Sequence, residues 1–465
     1  MNFKKFLSLG FILVSALALT ACDGEEEVVQ DEVVQTTGTE TVESEVIVPE
    51  EPPRDLGGLV VTIASWADVK EPEEKKSGQE EALWEYRNEM MEKHNFGFEE
   101  LGLSAWNGTL ELMSTSVLAG DPAAEVFRFN ANFNGAAKES GLCYDLATLD
   151  SINLEDAKWS QSLIELMSDG EKVYGISLFD RPKRLIFFNK RLFEEAGLDA
   201  ELLYDLQASG EWTWDAFMEI SEKLTRDTDN DGVNDVYALI MNQSVFAQAV
   251  NFSNGSSYVA VDENGDYYNN LVSPESMAAL EWCEEYWATD YDIRPEHYNG
   301  HKDLFMSGAA AMYIGDEWES TNFTQETMPD DWGMVVFPKG PNADNYVVVY
   351  NEKAWVIPNS YTKEEAEDIA FALDLWTDPV PGYDDPDSWM TAQYPVYRDA
   401  RAVEETLVIA RDPEVMASDY ALFIAQAVRT SQAAEDVYWN RATPTEAVEA
   451  QVGIWQAELD RLNAK

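Results

Sequence analysis

The chain has 465 residues, 45% of them apolar, enough for two or three domain-sized units with sizeable cores. Asp and Glu number 88 against 31 Lys and Arg, and the resulting net charge of −57 would repel nucleic acid and anionic lipid headgroups, so neither is expected as a partner. Three cysteines, Cys22, Cys143 and Cys283, are too few and too scattered for a disulfide framework or a thiolate metal site.

The first segment, MNFKKFLSLGFILVSALALTAC, places two lysines before an apolar run too short for a typical spanning helix. It reads as a signal peptide over residues 1–21. Its LTAC ending resembles the bacterial lipobox, which implies cleavage before Cys22 and lipidation of that cysteine. The mature chain is then expected outside the cell, held on the outer face of the membrane by lipid alone. Residues 22–57 are acidic, rich in Thr, Val and Pro, and carry no aromatic side chain. Such a segment buries too little to fold and reads as an extended, charged tether.

The folded body begins near Leu59. LVVTIASW (59–66) predicts a buried strand, EEALWEYRNEMMEKHN (80–95) an amphipathic helix, and AEVFRFN (124–130) a strand ending in polar groups. KRLIFFNKRLF (183–193) passes from strand to helix. GEWTWDAFMEISEKLT (210–225) predicts a helix with Thr213 as its N-cap. AAMYIGDEW (310–318), WGMVVFPKG (332–340) and YVVVYNEKAWVIP (346–358) add strands, and KEEAEDIAFALDLWTD (363–378) and the stretch from Asp419 onward read as helical. Strands alternating with helices predict an α/β protein with mainly parallel sheets.

The sequence holds no GxxxxGK[ST], HExxH or GxSxG motif, and only three histidines. His297 and His301 are spaced like metal ligands on a helix, but Asn299-Gly300 between them argues for a loop. Acidic residues are so abundant that no pair of them singles out a glycosidase, and none excludes one. Aromatic residues say more. Trp84, Trp282 and Trp287 lie on helix faces and read as packing. Trp66, Trp318 and Trp355 lie at strand ends beside polar or charged groups, where an α/β sheet borders its ligand crevice. An indole against a sugar ring, flanked by groups that bond hydroxyls, is a common way to hold carbohydrate.

Five stretches then fall into one order: LAGDPAAEVFRFN, KVYGISLFDRPKRLIFFNKRLFEEAGLD, TWDAFMEISEKLTRDTDNDGVNDVYAL, LFMSGAAAMYIGDEW and NEKAWVIPNSYTKEEAEDIAFALDLWTDP. Together they resemble the extracellular solute-binding proteins of family 1, the maltose-binding-protein-like receptors of ABC sugar importers. The resemblance implies two α/β lobes that close over a ligand about crossing strands. It sets lobe 1 at 58–181 and 352–395, and lobe 2 at 182–351 and 396–465. By motif position it implies ligand contacts at Trp66, Asp68, Arg128, Asn130, Asp180, Arg181, Asp316, Trp318 and Trp355. SLFDRPKR departs from the family's usual apolar-aromatic stretch. Its Arg181, Lys183 and Arg184 would suit an acidic glycan, or would pair with local carboxylates.

DTDNDGVNDVY (227–237) sets Asp227, Asp229 and Asp231 at the first, third and fifth positions of a calcium loop, with Gly232 at the turn, the Val233 carbonyl at the seventh and Asp235 at the ninth. The twelfth position, where an EF-hand has its bidentate Glu, is Ala238. A strand is expected to follow. The loop therefore reads as a structural calcium clamp and not as a sensor.

The leading reading is a lipid-anchored, non-enzymatic receptor, expected to act as a monomer, that captures an oligosaccharide for the permease subunits of an ABC importer. A secreted glycosidase or lyase, or a surface sugar sensor serving a histidine kinase, are the alternatives. The sequence leaves the solute and the redox state of Cys143 and Cys283 open.

Overall fold

The computed structural model describes residues 53–179, 181–295, 300–383 and 388–464. The signal peptide, Cys22, the tether up to residue 52, Asp180 and His297 lie outside the described residues. Two sheets organise the rest. In the first, Trp355–Val356, Val126–Arg128, Leu59–Ser65 and Phe96–Gly102 lie side by side in that order. Leu59–Ser65 is parallel to both its neighbours. In the second, the order is Asp292–Ile293, Tyr237–Ile240, Ala310–Gly315, Leu185–Asn189 and Trp332–Val335.

Each sheet departs from parallel at one strand, and the reason lies in the chain path. Trp355–Val356 runs antiparallel to Val126–Arg128, and Leu185–Asn189 runs antiparallel to both Ala310–Gly315 and Trp332–Val335. Both are the first strands after the chain passes from one sheet to the other. A chain entering from the hinge starts at the end where its parallel neighbours finish: Leu185 lies opposite Gly315, and Trp355 opposite Arg128.

The cores divide in the same way. Buried residues from Leu56 to Ile176 and from Ala354 to Trp376 cover both faces of the first sheet. Leu185 to Tyr350 and Tyr397 to Leu462 supply the second core. Trp389 and Met390, within the stretch expected in lobe 1, pack against the second core. The two crossing segments run beside each other: Ile176 and Trp355 exchange backbone bonds at 2.7 and 3.1 Å, and Lys183 N–H donates to Val349 O at 2.9 Å. Val348–Tyr350 also pairs with Met416–Ser418 from the C-terminal part.

Local chemistry explains the helices beside the sheets. Ser77 caps Gly78–His94 by accepting from Glu80 N–H, and Asn95 ends it in a left-handed conformation with φ 52°. That helix buries Trp84 edge-on against Trp376, with Arg87 stacked on the same ring at 3.9 Å. Thr213 caps Trp214–Leu224 as expected, and Trp282 stacks on Trp214 at 4.7 Å. The strand expected over 124–130 is confined to Val126–Arg128, because Asn130 caps a short turn that redirects the chain. Cys143 and Cys283 are free thiols buried in different cores.

Candidate functional site

The expected ligand residues gather in two groups, one at the carboxyl ends of each sheet. On the first, Trp66 follows Ser65 directly, and the Arg128 guanidinium lies 5.3 Å from its ring centroid. Arg128 Nη1 pairs with the buried Glu100 at 2.7 Å, while its Nε is buried with no hydrogen-bond partner among the described residues. Asn130 caps the following turn by accepting from Asn132 N–H at 3.4 Å. Asp68 braces the loop: it accepts from Gly102 N–H at 3.0 Å and pairs with Lys70, and these two bonds hold its carboxyl below the usual range. Trp355 lies opposite Arg128 in register, but its indole packs on the core cluster that holds Ile176, with Nε1 buried and unpaired among the described residues.

On the second sheet, Asp316 leaves Ala310–Gly315 and accepts from Arg184 Nη1 at 2.6 Å. Its own N–H donates to Glu319, which also accepts from Tyr313 OH and pairs with Lys302 at 3.0 Å. Lys302 Nζ stands 4.7 Å from the ring centroid of Trp318, whose indole is 43% exposed. Arg181 Nε lies 3.3 Å from the buried Glu317, and Tyr397 OH donates to the same carboxylate at 2.6 Å. A cavity of about 400 Å³ opens here, lined among others by Arg184, Asn242, Val245, His301, Lys302 and Trp318. A larger one, about 690 Å³, lies between Lys138, Tyr174, Tyr267 and Phe423 and touches none of the expected ligand residues. The smaller cavity, not the larger, is the one that meets strand ends and expected ligand residues.

Of the basic residues in SLFDRPKR, Arg181 and Arg184 are paired with carboxylates, and Lys183 is buried. For Arg181 and Arg184 this is the pairing with local carboxylates, and it offsets positive charge that an acidic glycan would use. Sequence reasoning missed Glu100, Lys302 and Glu319. In a chain with 88 carboxylates no local signal marks the few that pair with the cations beside the Trp66 and Trp318 rings.

The acidic loop closes on itself through a bridge between Arg226 and Val236, and Tyr237–Ile240 follows as a strand. Asp227, Asp229 and Asp235 each bring a carboxylate oxygen within 4.8 Å of the others. The N–H groups of Asn230 and Gly232 donate to Asp227 at 2.8 Å, the latter with φ 94°. Asp231 lies outside that group, and its Oδ1 accepts from Val233 N–H at 2.8 Å. The oxygens of Asp227, Asp229 and Asp235 would supply part of the about six to eight that a calcium ion takes.

Two cores, a pair of crossing segments and strand-end aromatic rings on both sheets define a hinged, two-lobed binding protein. The chain belongs to the family of bacterial extracellular solute-binding proteins, whose model matches residues 104–374, more than half of it. It is 29% identical over 104 residues to the maltodextrin-binding protein MdxE of Bacillus subtilis, a match spanning 22% of this chain and 24% of that protein. Among solved structures, an ABC substrate-binding protein of Listeria monocytogenes in complex with cycloalternan aligns with a TM-score of 0.60 at 18% identity, covering 86% of this chain and 99% of that one. UgpB of Mycobacterium tuberculosis with glycerophosphocholine aligns at 0.62 and 17%, covering 87% and 99%. The MalE domain of Bdellovibrio bacteriovorus bound to maltotriose aligns at 0.59 and 14%, covering 86% and 100%.

Proposed function

We propose that this protein is a lipid-anchored extracellular receptor that captures an oligosaccharide between its lobes and delivers it to the permease of an ABC importer. The observation that carries the reading is the matched chemistry of the two strand-end groups: an indole beside a cation on each sheet, with carboxylates fixed around it. Trp66 and Trp318 would stack on sugar rings, and Arg128, Lys302, Asp316 and Asn130 would bond their hydroxyls. No bond is broken in this mechanism, because affinity and hinge closure suffice. The lipid on Cys22 would keep the receptor near its permease, with residues 22–57 as the tether. Among the described residues no helix is long and apolar enough to cross a membrane. Calcium held by Asp227, Asp229 and Asp235 would brace the loop between Arg226 and Val236, remote in sequence from the strand-end groups.

The test is a panel of oligosaccharides, neutral and acidic, with glycerophosphocholine as a non-sugar probe, read by thermal shift and tryptophan fluorescence. A receptor of this kind shows a raised melting temperature for one glycan class and an unchanged glycan after prolonged incubation. Glycan cleavage would favour the carbohydrate-active enzyme. A response confined to glycerophosphocholine would replace the oligosaccharide with another polar solute. Retained uptake in a deletion strain would favour the sensor.

A further inference from the structure

The crevice carboxylate Asp316 is tied to the protein interior by a continuous chain of side chains. Asp316 Oδ1 accepts from Arg184 Nη1 at 2.6 Å, and Arg184 Nε donates to Gln248 Oε1 at 2.6 Å. Gln248 Nε2 donates to Asp419 Oδ2, and Asp419 Oδ1 accepts from Ala421 N–H at 3.0 Å. Gln248 and Asp419 are buried. Arg184 holds a left-handed backbone, φ 64°, a conformation that a long side chain keeps only when its surroundings fix it.

Hydrogen-bond polarity leaves this chain little freedom. An arginine Nε only donates, so Gln248 must turn its oxygen toward Arg184 and its NH₂ toward Asp419. Both Asp419 oxygens then face donors, and both must accept. A proton on Oδ1 would meet Ala421 N–H. A proton on Oδ2 would force the Gln248 amide to rotate, which sets its NH₂ against the guanidinium.

We propose that Gln248 and Asp419 are positioning residues for the binding crevice: the Asp419 carboxylate orients the Gln248 amide, the amide fixes Arg184, and Arg184 holds Asp316 in place. The same chain reaches both crossing segments. Asp419 directly follows Met416–Ser418, which pairs with Val348–Tyr350, and Lys183, next to Arg184, bonds Val349 O. Loss of the carboxylate charge therefore loosens the crevice and the hinge together.

Burial pushes the Asp419 carboxyl up to about 6, against the Ala421 N–H, the Arg184 charge and the Gln248 amide, which lower it. Arg184 is the charged group facing it. Tyr258 is the titratable neighbour, itself coupled to Cys283, and burial raises both well above their usual values, so neither titrates between pH 5 and 8. The sign is specific. A carboxyl whose folded value exceeds the ordinary value of about 4 takes up its proton more readily in the folded chain. Its protonation on going from pH 7 to 5 thus favours the folded over the unfolded chain, and within the fold it favours the loosened state in which the carboxyl stays buried but has lost the donors that lower its value.

This proposal adds regulation to the crevice described above, and only its binding measurement rests on the sugar reading. Hydrogen exchange at the Lys183 and Arg184 amides, corrected for the intrinsic pH effect, is to be followed between pH 7.5 and 5.0, alongside fluorescence titration with maltotriose and the glycans of the panel. For the wild-type chain, exchange is expected to speed up about tenfold with a midpoint near pH 6, and Kd to weaken by a similar factor. Asp419→Asn should show the fast exchange and weak binding at both ends of the range. A flat wild-type exchange profile, or a variant that keeps the wild-type profile, overturns the proposal. If no glycan binds while the exchange profile holds, the sugar reading falls and the positioning role stands. Should Asp419→Asn not fold, Gln248→Met is expected to give the same pH-independent fast exchange, and a wild-type profile in that variant is equally decisive against it.

Discussion

Trp318 shows how a large ring is held half out of the core at a strand end. A tryptophan 43% exposed loses apolar burial, yet its ring has Lys302 on one side at 4.7 Å, and Lys302 is held by Glu319. The cation is thereby held beside the ring by a buried carboxylate. Trp66 and Arg128 repeat the arrangement at 5.3 Å, with Glu100 in place of Glu319. Trp66→Ala and Trp318→Ala are each expected to weaken glycan binding about tenfold or more, equivalent to about 1.4 kcal/mol. Titration followed by melting of the free variants checks this, with the melting temperature expected to change little because neither ring is buried core. The tryptophan positions were legible because strand ends could be read from apolar runs. The partners of those rings were not, because Glu100, Lys302 and Glu319 come from separate parts of the chain and look like any other surface charge.

At the scale of an element, the acidic loop is the part most fully written in the sequence. Alternating aspartates with a glycine at the turn prescribe the local bonds observed, from Asn230 and Gly232 to Asp227. Of the expected ligands the structure brings together Asp227, Asp229 and Asp235, and leaves Asp231 outside the group. Calcium should raise the melting temperature by a few degrees, since a ligand at a hundred times its Kd stabilises the folded chain by about 2.7 kcal/mol. Asp229→Ala is expected to abolish that rise while leaving the melting temperature in chelator unchanged. Scanning calorimetry with calcium and with chelator decides it, and a rise that survives in the variant rules this loop out. The strands were legible in a different way. Ala310–Gly315 and Leu185–Asn189 up to its last residue are apolar runs, buried on both faces, but their antiparallel pairing depends on where the chain enters the sheet.

For the whole molecule, the charge of −57 sets the conditions under which the fold is most stable. Local pairs such as Arg401 with Glu405 and Asp205 offset a few carboxylates, but basic residues are outnumbered 88 to 31. The remaining self-repulsion is long-ranged at low ionic strength and screened within about 3 Å at 1 M salt. Sodium chloride raised from about 0.02 M to about 1 M is therefore expected to increase the melting temperature by several degrees, on the scale that the screening length sets. A melting temperature that falls over this range would show that specific ion pairs outweigh the net field.

Composition, the apolar runs, the cap at Thr213 and the aspartate spacing are properties of neighbouring residues, so the sequence by itself determined the α/β class, the main elements and the acidic loop. The pairing of Arg184 with Asp316 and Gln248, the packing of Trp355 on the core and the separate burial of Cys143 and Cys283 were decided only by the tertiary structure. Those contacts join residues far apart in the chain, and which donor meets which acceptor is fixed only once two sheets and two crossing segments bring them to one place.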